Sequence, residues 1–418
     1  MVYNSVHKTQ LSYKQQLALL KLRGVNGISF HVSSKNISKK KHEMQTKNLY
    51  KSLHQISSIG YYQLKSFLIP YQVKGKVNQY SNIDFKTLIN RYYADKRLRQ
   101  HILHAIEDIE VCLNTKIAHV LGEQCGAENF YNFNYWCQIN SINPYLKNDN
   151  GNYGLYMSRD VVEREKQDLL DQIRPKLEKS RNPDLRRYLS SKTESDDDKV
   201  AIWMLMNELT LGQTITIFKL MWPTGRVKIA NYFNCSVKTL ISWLQCLNLI
   251  RNICCHNGNL SDLSLVTLPH IPQEFLNSSS STIKKLNKKG VNTQLNGKIL
   301  TSYWSYNKHG KKVQKYTNKL AIPVIIIISL MRTVNPKYNF GKLSNSIYNL
   351  VDETATIQYY GFKNKHALSL LFSKEEHSDD IRVRKRNNRA ELKNELKYFN
   401  LEASSRPKKF RKSKNNNH

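Results

Sequence analysis

The chain has 418 residues, 40% of them hydrophobic, which is enough for one large core or for a core with a smaller companion. Lysine and arginine total 65 against 32 aspartate and glutamate, a formal net charge of +33. That excess favours polyanions (RNA, DNA or an anionic membrane surface), although an AT-rich genome also enriches Lys, Asn and Ile. The 7 cysteines include no C-x-x-C pair, so neither a disulfide framework nor a zinc site is indicated.

In chain order, LSYKQQLALLKLRG at 11–24 predicts a short amphipathic helix ending at Gly24. Residues 31–51 read as a basic loop. SLHQISSIGYYQLKSFLIPYQ, 52–72, reads as an element broken at Gly60 and Pro70. Residues 84–121 carry Phe85, Leu88, Leu98, Ile102, Ile106, Ile109, Leu113 and Ile117 mostly at three- and four-residue steps, which predicts one long helix. The polar stretch 140–199 reads as a helical insertion with loops. A helix is expected over 201–221, broken by Pro223-Thr224-Gly225, and another over roughly 237–256 with the stripe Trp243, Leu247, Ile250, Cys254.

Beyond 272 the composition shifts to Ser, Lys and Asn. From Phe275 to Val351 there is no acidic residue. Lys284, Lys285, Lys288, Lys289, Lys308, Lys311, Lys312 and Lys315 lie there among Tyr303, Trp304, Tyr306 and Tyr316. Cations for phosphates and flat rings for bases suit single-stranded RNA; a solvated loop with anchoring aromatics is the plainer reading. The longest apolar run, AIPVIIIISLM at 321–331, is too short to span a bilayer and reads as a buried helix or strand. The opening MVYNSVHKTQ lacks the apolar core of a signal peptide, so a cytoplasmic protein without a membrane partner is expected. The charged tail from about 374 is expected to be disordered or only partly helical. Strand signals are few, so a mainly α fold is expected. The parts divide as an N-terminal extension (1–83), a helical core with its insertion (84–270), a basic C-terminal region (271–373) and the tail (374–418).

The hexapeptide RNICCH, 251–256, closes the helix before Asn257-Gly258. An imidazole moves protons near neutral pH, and a guanidinium neutralises charge building on a phosphate. On a straight helix Asn252 and His256 stand about 40° apart, and Arg251 and His256 about 140° apart. Asn252 is therefore placed to orient His256 while Arg251 points elsewhere, and two copies across a symmetry axis would compose one site. The plainer reading makes His256 a helix cap and Arg251 a surface ion-pair partner. Arg99 and His104 share the spacing but sit mid-helix and read as structural. Glu107 and Glu110 are candidates to orient Arg251 or His256, or are simply solvated. Glu208, in an apolar helix, needs a partner, for which Arg251 is a candidate. No cluster of carboxylates or His/Cys ligands suggests a metal, and no cofactor is expected.

Several of these segments, in order and with matching spacing, resemble the Abi-like (AbiD/AbiF) abortive-infection family. They are LSYKQQLALLKLRG, IGYYQLKSFLIPYQ, YYADKRLRQHILHAIEDIEVCLNTKIAHVL, WMLMNELTLGQ and SWLQCLNLIRNICCHNGNL. The resemblance resumes at LAIPVIIIISLMRTVNP and YYGFKN, covering roughly 10–372. It implies a HEPN-type helical bundle, commonly dimeric, and a metal-independent ribonuclease motif at Arg251, Asn252 and His256. It also implies toxic RNA cleavage in phage defence, and, from some relatives, restraint by a structured non-coding RNA. The chain departs from the family at Asn114, where an Arg is usual, and after the motif, where a second His and Arg-Leu-Trp are common. A catalytically silent RNA-binding scaffold and a DNA-binding regulator are the rival readings.

Overall fold

The computed structural model describes residues 10–30, 39–191, 199–271, 299–306, 309–351 and 356–372. The expected acidic run at 195–198, the lysines at 284, 285, 288, 289 and 308, and the tail lie outside them. The fold is mainly α, as expected.

Helix α1 (Tyr13–Leu22) starts in a capping box: Ser12 accepts from the Gln15 N–H, and the Gln15 side chain accepts in return. The chain turns at Gly24 (φ +97°), where a Cβ would stand 2.1 Å from the Tyr80 carbonyl oxygen, so only glycine admits that approach. Residues 39 onward are not a loop but helix α2 (Lys39–Ile59). Their polar composition masks a sparse apolar stripe, Leu49, Leu53 and Ile56, which packs into the N-terminal core. The break at Gly60 is present: α3 (Tyr61–Ser66) follows, then a 3-10 turn at Ile69–Tyr71 containing Pro70.

Helix α4 (Phe85–Cys125) is the spine. Asp84 caps it by accepting from the Thr87 N–H at 2.7 Å, and 41 residues give it a length of about 60 Å. Its first turns, through Phe85, Leu88 and Ile89, seal the N-terminal core with Leu17, Leu64 and Phe67. The rest of its buried stripe enters the main core.

The insertion holds a hairpin that the sequence reading missed, β1 (Ile142–Lys147) with β2 (Tyr153–Tyr156), before α5 (Arg159–Lys179) and α6 (Pro183–Ser190). The expected helix over 201–221 is two helices, α7 (Ile202–Glu208) and α8 (Leu211–Leu220). Thr210 and Gln213 form a second capping box that starts a new helix where periodicity alone suggested continuity. Pro223 begins a helix rather than merely ending one: it opens α9 (Pro223–Tyr232), a position that needs no N–H. Helix α10 (Val237–Cys255) follows as expected.

In the C-terminal region β3 (Ser302–Tyr306) and β4 (Lys312–Tyr316) form an antiparallel hairpin, where only a basic segment was foreseen. The apolar run is helix α11 (Ala321–Val334), buried from Ala321 to Met331. Its β-branched residues favour strand, but burial on all sides outweighs that preference. With α12 (Gly341–Tyr348) it packs on α4, and α13 (Lys365–Phe372) packs on α12. The C-terminal helices thus share the main core. No helix among the described residues is long and apolar enough to cross a membrane.

Candidate functional site

Helix α10 carries the site, and its two ends are fixed by different means. At the start, Ser236 accepts from the Thr239 N–H at 3.2 Å. Trp243, Leu247, Ile250 and Cys254 bury the core stripe, and burial pushes the Cys254 thiol up to about 12, so it serves packing. At the far end the Gly258 N–H donates to the Ile253 carbonyl at 2.8 Å, and the Asn257 N–H donates to that of Cys254 at 3.4 Å. Asn257 adopts the left-handed conformation (φ +56°) that this ending requires. A Cβ on Gly258 would come within 3.0 Å of the Ile253 side chain. His256 is therefore the helix cap, exposed at the point where the chain turns away.

The three motif residues divide between two environments. Asn252 and His256 are exposed, and among the described residues their side chains make no hydrogen bond or ion pair. The expected orientation of His256 by the Asn252 side chain is not seen; the bond between them is backbone, His256 N–H to Asn252 carbonyl at 3.0 Å. Arg251 is half-buried, near enough to Glu110 of α4 and Lys176 of α5 to act on their charges. Burial raises the Glu110 carboxyl above its ordinary value, Arg251 and the Leu211 N–H pull it back, and Glu107 adds to the rise. Burial lowers Lys176 of α5, Arg251 lowers it further, and Glu208 opposes both. Lys176 Nζ donates to Gln213 Oε1 at 2.6 Å. Of the three carboxylates expected near Arg251, Glu110 is the one whose charge it meets; Glu107 lies near Glu110 and Glu208 near Lys176.

The loop after His256 is held by charged residues that sequence reasoning did not select. Asp95, with no exposed surface, accepts from the N–H groups of Leu260 (3.0 Å) and Ser261 (2.7 Å) and from Arg99 Nε (2.8 Å). Arg99 Nη1 also donates to Asn257 Oδ1 at 3.0 Å, one residue past His256. Burial raises the Asp95 carboxyl, and the Ser261 N–H, Arg99 and the Leu260 N–H draw it back. One turn earlier on α4, Arg91 pairs with Asp262 at 2.5 Å, both side chains buried, and Tyr359 donates to the same carboxylate at 2.9 Å. Burial works against the Arg91 cation, but Asp262, Tyr360 and Tyr71 outweigh it and raise it above its ordinary value. From α3, Gln63 Nε2 donates to the Asn257 carbonyl at 2.6 Å. A signal was present in the sequence: Arg91, Asp95 and Arg99 fall on the buried face of the α4 stripe, where a charge needs a partner. Arg99 is structural, as read, and what it supports is the loop after His256. His104, exposed, meets the Tyr338 hydroxyl at 3.0 Å. Asn114, where the resemblance leads one to expect Arg, is buried and accepts from the Thr214 hydroxyl at 2.7 Å.

Of the basic residues, Lys311, Lys312 and Lys315 stand on or beside the β3–β4 hairpin. Trp304, Tyr306 and Lys312 share one face by register, and Tyr303 and Lys315 share the other. Lys312 Nζ lies 5.2 Å from the centre of the Trp304 ring, and Tyr303, Trp304 and Tyr306 are all exposed. Among the described residues, no group of three or more His, Cys, Asp or Glu side chains is placed to hold a metal.

The described residues thus form a mainly helical body in which a capped helix presents an exposed imidazole at its end, with a half-buried guanidinium one turn earlier. The chain belongs to the family of Abi-like proteins, whose family model matches residues 54–262, from within α2 to the Asp262 anchor of the motif loop. No curated protein and no solved structure matches it.

Proposed function

We propose that this chain is a HEPN-type endoribonuclease of bacterial abortive-infection phage defence that needs no metal for cleavage. The observation that carries the reading is the division of the motif: Arg251 is half-buried beside the charges of Glu110 and Lys176, while His256 stands exposed and unengaged at the helix end. In a homodimer, His256 of one subunit draws the proton from a ribose 2′-OH, and the 2′-oxygen attacks the adjacent phosphorus. Arg251 neutralises the charge on the phosphate oxygens, and the second His256 protonates the departing 5′-oxygen. Asn252, exposed one turn before His256, faces the same strand. The products carry 2′,3′-cyclic phosphate and 5′-OH ends, and DNA, lacking the 2′-OH, is spared. The basic hairpin suits a structured non-coding RNA that restrains the toxin.

A second reading is favoured by that same hairpin: a silent scaffold that binds RNA without cutting it. Expression in a bacterial host separates the two. Wild type should halt growth and His256→Ala should not, with equal protein levels; a toxic His256→Ala protein would overturn the assignment.

A further inference from the structure

A groove between α4 and α7 has no part in the chemistry above. Its floor is one face of α4, where Asn114, Ala118 and Gly122 follow at four-residue intervals, and its wall is Trp203 and Asn207 of α7. Small floor residues leave room for a flat ring, and the space measures about 590 Å³, within the range of small-molecule pockets. Trp203 is 55% exposed although its helix neighbours Ile202 and Leu205 are fully buried, so the indole is turned out of the core and into this groove.

The polar groups converge on the same space. Asn114 uses its carbonyl oxygen on Thr214, so its amide N–H groups remain for a ligand among the described residues. Asn207 offers a second amide. Glu123 at the rim is held between His119 (3.2 Å) and Lys228 (3.3 Å). A stacking face and paired amides are what a base of single-stranded nucleic acid needs. Asn114 lies one turn beyond Glu110, the residue against Arg251, and Ala118 lies about 12 Å along α4 from Glu110, so one strand can occupy both places.

We infer that the α4–α7 groove is a nucleobase subsite, in which Trp203 stacks on a base of the RNA strand near the scissile phosphate while Asn114 and Asn207 meet its hydrogen-bonding edge. The inference rests on the reading of single-stranded RNA as the substrate. It is tested without cleavage, in the His256→Ala protein, by the affinity for a labelled single-stranded oligoribonucleotide as a function of salt. Trp203→Ala should weaken binding roughly ten- to hundredfold. Trp203→Phe should keep most of the affinity, and the salt slope should stay the same because no phosphate contact is lost. Unchanged affinity in Trp203→Ala, or no binding by the parent protein, would overturn the subsite. So would a change of oligomeric state on sedimentation, which would mark the groove as a contact between copies. If Trp203→Ala lowers affinity yet the wild type cleaves no RNA, the ribonuclease reading falls and the subsite stands.

Discussion

His256 owes its place to residues on another helix. The turn that presents it is stabilised locally by Asn257 and Gly258, but its position relative to the body is fixed by Asp95 and Arg99 of α4 and by the Arg91–Asp262 pair. Replacing Asp95 by Asn leaves an oxygen for the Leu260 and Ser261 N–H groups but removes the charge opposite the buried Arg99 and sets an NH2 donor against its Nε. Loss of one partner of a buried pair costs about 3–5 kcal/mol. Asp95→Asn should therefore lower the urea midpoint markedly; an unchanged midpoint would mean the clamp contributes little. The place of Arg251 and His256 at the end of one helix was legible because the period of α10 is local to it. The clamp was not, because Asp95 reaches Ser261 across 166 positions of sequence, and nothing at either end announces the other. For Arg251, substitution by Lys keeps the charge but not the planar two-point contact, so RNA cleavage should fall by about two orders of magnitude. Near-normal cleavage by Arg251→Lys would assign Arg251 to structure alone.

At the scale of elements, α4 organises the molecule: α7, α8, α9, α10, α11 and α12 all pack on it. Its period was plain in the sequence, since a long buried stripe repeats many times over. Short elements were harder. The α7–α8 junction depends on one capping box inside an uninterrupted apolar pattern, and α2 on a few apolar residues among many polar ones. The β3–β4 hairpin was hidden because its side chains are mostly exposed and carry no inside–outside alternation. That exposure gives the hairpin a testable role. If Lys311, Lys312 and Lys315 each contact a phosphate of a single strand, replacing all three by Gln should reduce the slope of log affinity against log salt by about 2. An unchanged slope would place RNA elsewhere on the surface.

The described residues form two cores. One joins α1, α2 and α3 to the start of α4; the larger unites the rest of α4 with the C-terminal helices. The mainly helical character followed from composition and period. The sharing of one core by residues on both sides of the basic stretch did not, because a shift in surface composition says nothing about where the buried faces go. A net charge of +33 favours polyanions, and on the proposed reading Arg251 and His256 cut the RNA that this charge attracts. The most direct test is RNA cleavage in excess EDTA by purified wild type and His256→Ala, with the product ends mapped. Cleavage by the wild type alone, leaving 2′,3′-cyclic phosphate and 5′-OH ends, is the predicted result. Cleavage that EDTA abolishes, or that His256→Ala retains, would contradict it.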